Sequence, residues 1–187
     1  MLERFSKLRS TLFAPFLFNI NPAILTIISF ILACYAGYLF FISYWTIGAL
    51  VLLLSSFLDA LDGEIARKYK SESKFGDLLD HTLDRLADVA IFIGLAFNQQ
   101  LPTIVTLLAL IAILLASYAG TQAQALTNKR LYTALVGRAD RLIILIVAAF
   151  AIPFYPQAMF YGIILIGVLS ILTFFQRTIQ TAIILKR

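Results

Sequence analysis

The chain has 187 residues, 61% of them hydrophobic and only 13% charged, with a formal net charge of +5 and a mean hydropathy of +0.92. Soluble domains are nearer half apolar and a quarter charged, so this composition excludes a disordered chain, a disulfide scaffold and an ordinary soluble enzyme. Only lipid solvates such a surface, and the length suits one membrane domain, residues 1–187.

In chain order, the first predicted element covers residues 2–15. Leu2, Phe5, Leu8, Leu12 and Phe13 recur at helical spacing opposite Glu3, Lys7 and Arg9. This pattern predicts an amphipathic helix lying on the membrane surface. Mixed charges and the lack of a small-residue cleavage pattern argue against a removable signal. Charged residues are then missing from 10–58, 89–128 and 142–176, runs of 49, 40 and 35 residues. A spanning helix needs about 20 apolar residues, so each run holds two helices or parts of them. Polar or proline breaks interrupt the runs at Ile42–Trp45, Asn98–Pro102 and Pro153–Gln157. The prediction is an all-α, polytopic membrane protein with six transmembrane helices, at about 22–40, 44–66, 76–97, 102–126, 138–152 and 157–180. The fifth is short and must borrow polar residues at its start.

All fifteen Lys and Arg fall at one membrane face, and the three opposite turns carry none. Positively charged loops stay cytoplasmic, which predicts a multi-pass protein of the cytoplasmic membrane with both termini inside. The excess positive charge suits anionic headgroups and gives no reason to expect nucleic acid. The single cysteine, Cys34, lies within a span and cannot form a disulfide within one chain.

Eight of the ten acidic residues lie between 59 and 88. Their pattern is Asp59-x2-Asp62-Gly63-x2-Ala66-Arg67, eight residues, then Gly76-x3-Asp80-x3-Asp84. Asp59 and Asp62 share a helix face, as do Asp80 and Asp84. A polar turn over 68–75 folds the two helices back on each other and gathers four carboxylates at membrane depth. Ionisable groups there are expensive and usually functional. All-carboxylate ligation suits hard ions such as Mg2+, Mn2+ or Ca2+, and four carboxylates can hold two such ions for phosphoryl displacement. Gly63 and Ala66 leave room for a ligand to approach the backbone, and Arg67 offers a fork for phosphate.

A second polar cluster, Lys129, Arg130, Gly137, Arg138, Asp140 and Arg141, lies between spans four and five. Arg138 and Arg141 are three apart and can face one cavity, where two guanidinium groups suit a phosphate monoester. The competing explanation is topological anchoring, since loop arginines are expected on the cytoplasmic side in any case.

At these positions the sequence resembles the CDP-alcohol phosphotransferase family: Asp59, Asp62, Gly63, Ala66, Arg67, Gly76, Asp80 and Asp84 stand at its signature spacing. The resemblance implies transfer of a substituted phosphate from a CDP-linked lipid (CDP-archaeol or CDP-diacylglycerol) to an alcohol, with release of CMP. It implies two divalent cations, Mg2+ or Mn2+, on Asp59, Asp62, Asp80 and Asp84, with Asp84 as general base. Nucleotide and CDP-lipid contacts are implied at Asp62, Gly63, Ala66, Arg67, Ser73 and Gly76. Asn21-Pro22 resembles the family's Asn-Pro start of the first span, where Ala23 departs from the usual Asn or Asp. Ser117-Tyr118, the Gly120–Ala125 run and Gly137–Leu142 resemble the inositol-phosphate branch, notably archaeal archaetidylinositol phosphate synthases. That branch implies inositol 1-phosphate as acceptor, held by Arg138 and Arg141 with Lys129 or Arg130. In related bacterial enzymes a basic residue follows Ser-Tyr, whereas Ala119 and Gly120 stand here. The family also implies a homodimer, and the small residues Gly94, Ala96, Ala109, Ala112 and Ala116 permit close helix approach.

Glycerol 3-phosphate, serine or free inositol are alternative acceptors for the same chemistry. An intramembrane prenyltransferase would place its two Asp motifs far apart in a longer chain, and here one 26-residue stretch, 59–84, holds both. A divalent-cation transporter is the alternative of another class, although spans 1, 4 and 6 carry no acids.

Overall fold

The structure is a computed structural model that describes residues 21–69, 73–127 and 135–186. The expected amphipathic helix over 2–15 and the candidate residues Lys129 and Arg130 lie outside the described residues. Every regular element described is an α-helix: α1 Pro22–Phe41, α2 Trp45–Lys68, α3 Lys74–Ala96, α4 Thr103–Thr127, α5 Arg138–Ala151 and α6 Ala158–Leu185. Their ends fall within two residues of those expected, except that α6 runs on to Leu185.

Among the described residues, four helices (α1, α2, α4 and α6) are long and apolar enough to cross a membrane. The other two helices expected to span, α3 and α5, do not meet that measure. With 14 residues, α5 is about 21 Å long at 1.5 Å per residue, short of a hydrocarbon core of about 30 Å. In α3 the first two-thirds carry Lys74, Asp77, Asp80, Asp84, Arg85 and Asp88, so only its final turns match lipid. Large apolar side chains such as Ile31, Ile104 and Phe154 are exposed on the outside. Together with the four apolar helices, they make the chain an all-α membrane protein.

Local chemistry sets the helix starts. Asn21 caps α1, its Oδ1 accepting from the Ala23 N–H at 3.1 Å, and Pro22 occupies the first turn where its missing N–H costs nothing. Ser73 caps α3, its Oγ accepting from the Gly76 N–H at 2.9 Å. Asp140 caps its own helix by accepting from the Gly137 N–H at 2.7 Å.

The principal helix contacts close a ring in the order α1, α2, α5, α6, α4, α3 and back to α1. Phe40, Leu52, Ile91, Phe92, Leu95, Ile113, Leu145, Met159 and Ile163 fill its interior. The α1–α3 crossing is backbone on backbone. A Cβ at Gly94 would run into the Gly37 carbonyl oxygen, and one at Gly37 would lie 2.6 Å from the Ala90 carbonyl oxygen. The small residues expected to favour a dimer face therefore serve the protomer itself. Ala96, Ala109, Ala112 and Ala116 are buried within the chain, and Ala109 packs against Gly167.

At the uncharged end, buried Asn98 ties the two turns together. Its Nδ2 donates to the carbonyls of Phe40 and Phe41 at 2.7 and 3.1 Å and to Ser43 Oγ at 2.9 Å. This fixes the α1–α2 turn, where Ser43 adopts a left-handed φ of 64°. Ionisable groups gather at the opposite end, where α2 ends and α3 and α5 begin.

Candidate active site

The last turns of α2 and the first turns of α3 lie at the same end of the ring without packing on each other, and carboxylates spaced three and four residues apart on each reach across to meet. Ligand atoms of Asp59, Asp62 and Asp80 lie within 4.8 Å of one another. Asp80, His81 and Asp84 form a second such group, so Asp80 links Asp84 to Asp59 and Asp62. His81 was not singled out in the sequence, although it is the only histidine and stands between two motif acids. Its Nδ1 lies 3.8 Å from Asp80 and its Nε2 3.7 Å from Asp77.

Asp62 is buried and takes a hydrogen bond from Thr26 Oγ at 2.6 Å. Thr26, in the middle of an apolar run, gave no sign of this role in the sequence. It is a polar support from α1 that holds one carboxylate of the cluster in place.

Arg138 comes from the first turn of α5, the neighbour of α2 in the ring. Its Nη1 lies 2.9 Å from Asp59 Oδ2 and 2.7 Å from Asp84 Oδ1, so one guanidinium nitrogen bridges the two acid-bearing helices. Arg141, one turn on, is buried, and its Nη2 donates to Asp88 Oδ2 at 3.0 Å. The expected pair of arginines thus does meet at one place, but the structure adds carboxylate partners that spacing did not predict. Asp88 is one of them, and it lies one turn beyond the motif. The Nε groups of Arg138 and Arg141 are buried without a hydrogen-bond partner.

The expected nucleotide side is more open. Half-exposed Arg67 pairs with Glu64 at 3.0 Å and lies over Gly63, where an added Cβ would sit 3.5 Å from its guanidinium. Ser73 and Gly76 meet in the α3 cap described above. Asp62 alone among the nucleotide candidates also belongs to the carboxylate group.

The donor set fits hard divalent cations. Oxygen ligands dominate, they come from two rigid helices, and the Asp59–Asp84 pair already attracts a cationic group in Arg138. Asp59, Asp62, Asp80 and Asp84 would hold the ions.

A helical membrane protein with this carboxylate cluster, a buried Arg141 and a part-buried Arg138 has the makings of a metal-dependent enzyme of phosphate chemistry. Comparison with known proteins narrows the class. Residues 19–179 match the CDP-alcohol phosphatidyltransferase family. The chain is 35% identical over 179 residues to the archaetidylinositol phosphate synthase of Pyrococcus horikoshii, covering 96% of this chain and 89% of the relative. It is 34% identical over 156 residues to that of Methanothermobacter thermautotrophicus, covering 83% and 80%. Mycobacterium tuberculosis phosphatidylinositol phosphate synthase, solved with CDP-DAG bound, superposes with a TM-score of 0.76 at 29% identity, covering 87% of this chain and 86% of that one. The same enzyme in complex with manganese and citrate also gives a TM-score of 0.76, at 30% identity over 87% and 82%.

The chain belongs to the CDP-alcohol phosphatidyltransferase family. It is a metal-dependent membrane transferase, and the cation-transporter alternative is set aside.

Proposed function

We propose that this enzyme transfers the lipid-bearing phosphate of a CDP-linked lipid to inositol 1-phosphate, releasing CMP. The carrying observation is the contact of Arg138 with Asp59 and Asp84. It sets a phosphate-binding side chain directly beside the carboxylates that the motif assigns to metal. The relatives named as archaetidylinositol and phosphatidylinositol phosphate synthases support the acceptor.

Bound divalent cations on Asp59, Asp62, Asp80 and Asp84 would neutralise the pyrophosphate and stabilise the departing CMP. Gly63, Ala66, Arg67, Ser73 and Gly76 form the nucleotide side. Arg138 and Arg141, with Lys129 and Arg130, receive the acceptor phosphate. Asp84 accepts the proton of the attacking hydroxyl. The acceptor oxygen forms a bond to the lipid-side phosphorus, and the bond from that phosphorus to the bridging oxygen breaks. CMP leaves with that electron pair.

The whole chain forms one domain, and α3 and α5 complete six spans with their charged ends in the cytoplasmic interface. The site faces the cytoplasm, and two copies associate as a homodimer. The positive charge confined to one face supports this orientation.

A panel of alcohols, with and without phosphate, scored by CMP release tests the reading. Inositol 1-phosphate should support turnover, whereas inositol, serine and glycerol 3-phosphate should be poor, and Asp84→Asn should be inactive throughout. Preference for serine or free inositol overturns the acceptor assignment.

A further inference from the structure

Asp88 lies outside the carboxylate quartet and has no part in the reaction described above. It sits on α3 one turn past Asp84, on the same face, and is 4% exposed. Its two oxygens divide between the two α5 arginines. Oδ2 accepts from Arg141 Nη2 at 3.0 Å, and Oδ1 lies 3.8 Å from Arg138 Nε. Both guanidinium groups keep a buried Nε without a hydrogen-bond partner. A guanidinium has five N–H donors in a rigid fork, and burying that many donors half-satisfied is costly unless a ligand completes them. A purely structural ion pair would be expected to satisfy its donors more fully.

Arg138 has three carboxylate partners within 4 Å among the described residues: Asp59, Asp84 and Asp88. Asp59 and Asp84 are the ones the metal assignment claims. Asp88 is then the carboxylate left to hold Arg138, as it already holds Arg141. One negative charge against two guanidinium groups leaves the pair net positive, which suits an incoming phosphate.

We infer that Asp88 is a positioning residue that orients Arg138 and Arg141 for the phosphate of the acceptor and so sets selectivity for a phosphorylated alcohol. This rests on the acceptor role of the two arginines proposed above. Asp88 touches neither substrate nor metal. It acts by fixing the planes of two side chains whose bidentate geometry tolerates little rotation.

The test measures steady-state CMP release by the full-length enzyme, varying inositol 1-phosphate and CDP-lipid separately, with Mn2+ binding followed by electron paramagnetic resonance. Asp88→Asn keeps the shape and removes the charge. It should raise the KM for inositol 1-phosphate about tenfold, roughly the worth of one charge-assisted hydrogen bond. The CDP-lipid KM should stay within about twofold, because Asp88 lies apart from the residues assigned to the CDP-lipid. Mn2+ affinity should fall rather than rise, because Arg138 loses the carboxylate it turns to when the metal takes Asp59 and Asp84. Asp88→Glu, which restores the charge, should recover most of the acceptor affinity.

A double-mutant cycle covers the case in which Asp88→Asn fails to fold by leaving Arg141 buried and unpaired. Asp88→Asn/Arg141→Gln removes both charges. If Asp88 works through both arginines, the double variant should raise the acceptor KM above that of Arg141→Gln by a smaller factor than Asp88→Asn raises it in the wild type, since only the Arg138 part remains to be lost. Multiplicative effects, or an acceptor KM unchanged or lowered in Asp88→Asn while Arg141→Gln raises it, overturn the inference and leave the acceptor site standing. If Arg138→Gln and Arg141→Gln leave the acceptor KM unchanged, the acceptor reading itself fails and the inference with it.

Discussion

The contact between Arg138 and the carboxylates makes a prediction with an unusual sign: removing a positive residue should tighten the binding of a positive ion. Arg138 Nη1 sits 2.9 Å from Asp59 and 2.7 Å from Asp84, with 19% of its side chain exposed. Hydrogen bonds to charged groups contribute about 1.5–3 kcal/mol each. On the proposed assignment, a metal ion must take over both carboxylates from Arg138. Part of that loss is returned when Arg138 settles on Asp88, so one bond at the lower bound is the conservative count. That is about 1.5 kcal/mol, or about tenfold in affinity. Arg138→Gln should therefore bind Mn2+ about tenfold more tightly, by calorimetry or electron paramagnetic resonance on the purified protein without nucleotide. Arg85 provides the control, because it lies 3.8 Å from Asp84 and its side chain is 32% exposed. Exposed pairs contribute about 0–1 kcal/mol, so Arg85→Gln should have little effect. Mn2+ binding that is unchanged or weaker in Arg138→Gln would refute the reasoning and make Arg138 part of the scaffold that shapes the metal site.

Two further outcomes are expected. Gly94→Ala should lower stability by about 1–3 kcal/mol, read as a lower thermal midpoint in detergent, because the new methyl meets the backbone carbonyl of Gly37; Gly63→Ala, which meets only the flexible Arg67 side chain, should leave the midpoint nearly unchanged. In a Cys34→Ser background, Gln99→Cys should react with an impermeant thiol reagent in intact cells, whereas Phe75→Cys, 69% exposed at the charged end, should react only after permeabilisation; the reverse pattern would invert the proposed orientation.

The helix positions were legible because lipid imposes a simple rule, and charge-free runs broken at Ser43, Asn98 and Pro153 report it directly. Which helices match a membrane in length was less legible. Runs and breaks locate turns, but they do not show that α5 has only 14 residues or that ionisable groups fill two-thirds of α3. The Asp59–Asp84 pattern was legible because its parts lie on consecutive helices, so local spacing sets their geometry. Contacts made by ring closure were hidden. Arg138 reaches Asp59 across 79 positions and Arg141 reaches Asp88 across 53. Nothing in the spacing says that α5 returns to lie against α2. Thr26 and Asp88 escaped notice for the same reason, since each matters only through a residue distant in the chain.

Ring closure also bears on the choice that sequence left open for the α5 arginines, between anchoring to lipid headgroups and work inside the bundle. An arginine that anchors a helix end keeps its head in the interface and buries only its aliphatic stem. Arg67 comes closest to that arrangement, with 50% of its side chain exposed and an acidic neighbour on its own helix. Arg141 is the opposite, with 6% of its side chain exposed and its guanidinium against a carboxylate that is itself 5% exposed. Removing both charges from water costs several kcal/mol per ion, and a residue needed only for topology could avoid that cost by pointing outward. The buried placement argues that α5 starts with arginines for their chemistry. The cytoplasmic bias of positive charge is then partly a consequence of where the site lies, since the same end of the bundle must hold the carboxylates, the metal ions and the groups that receive phosphate.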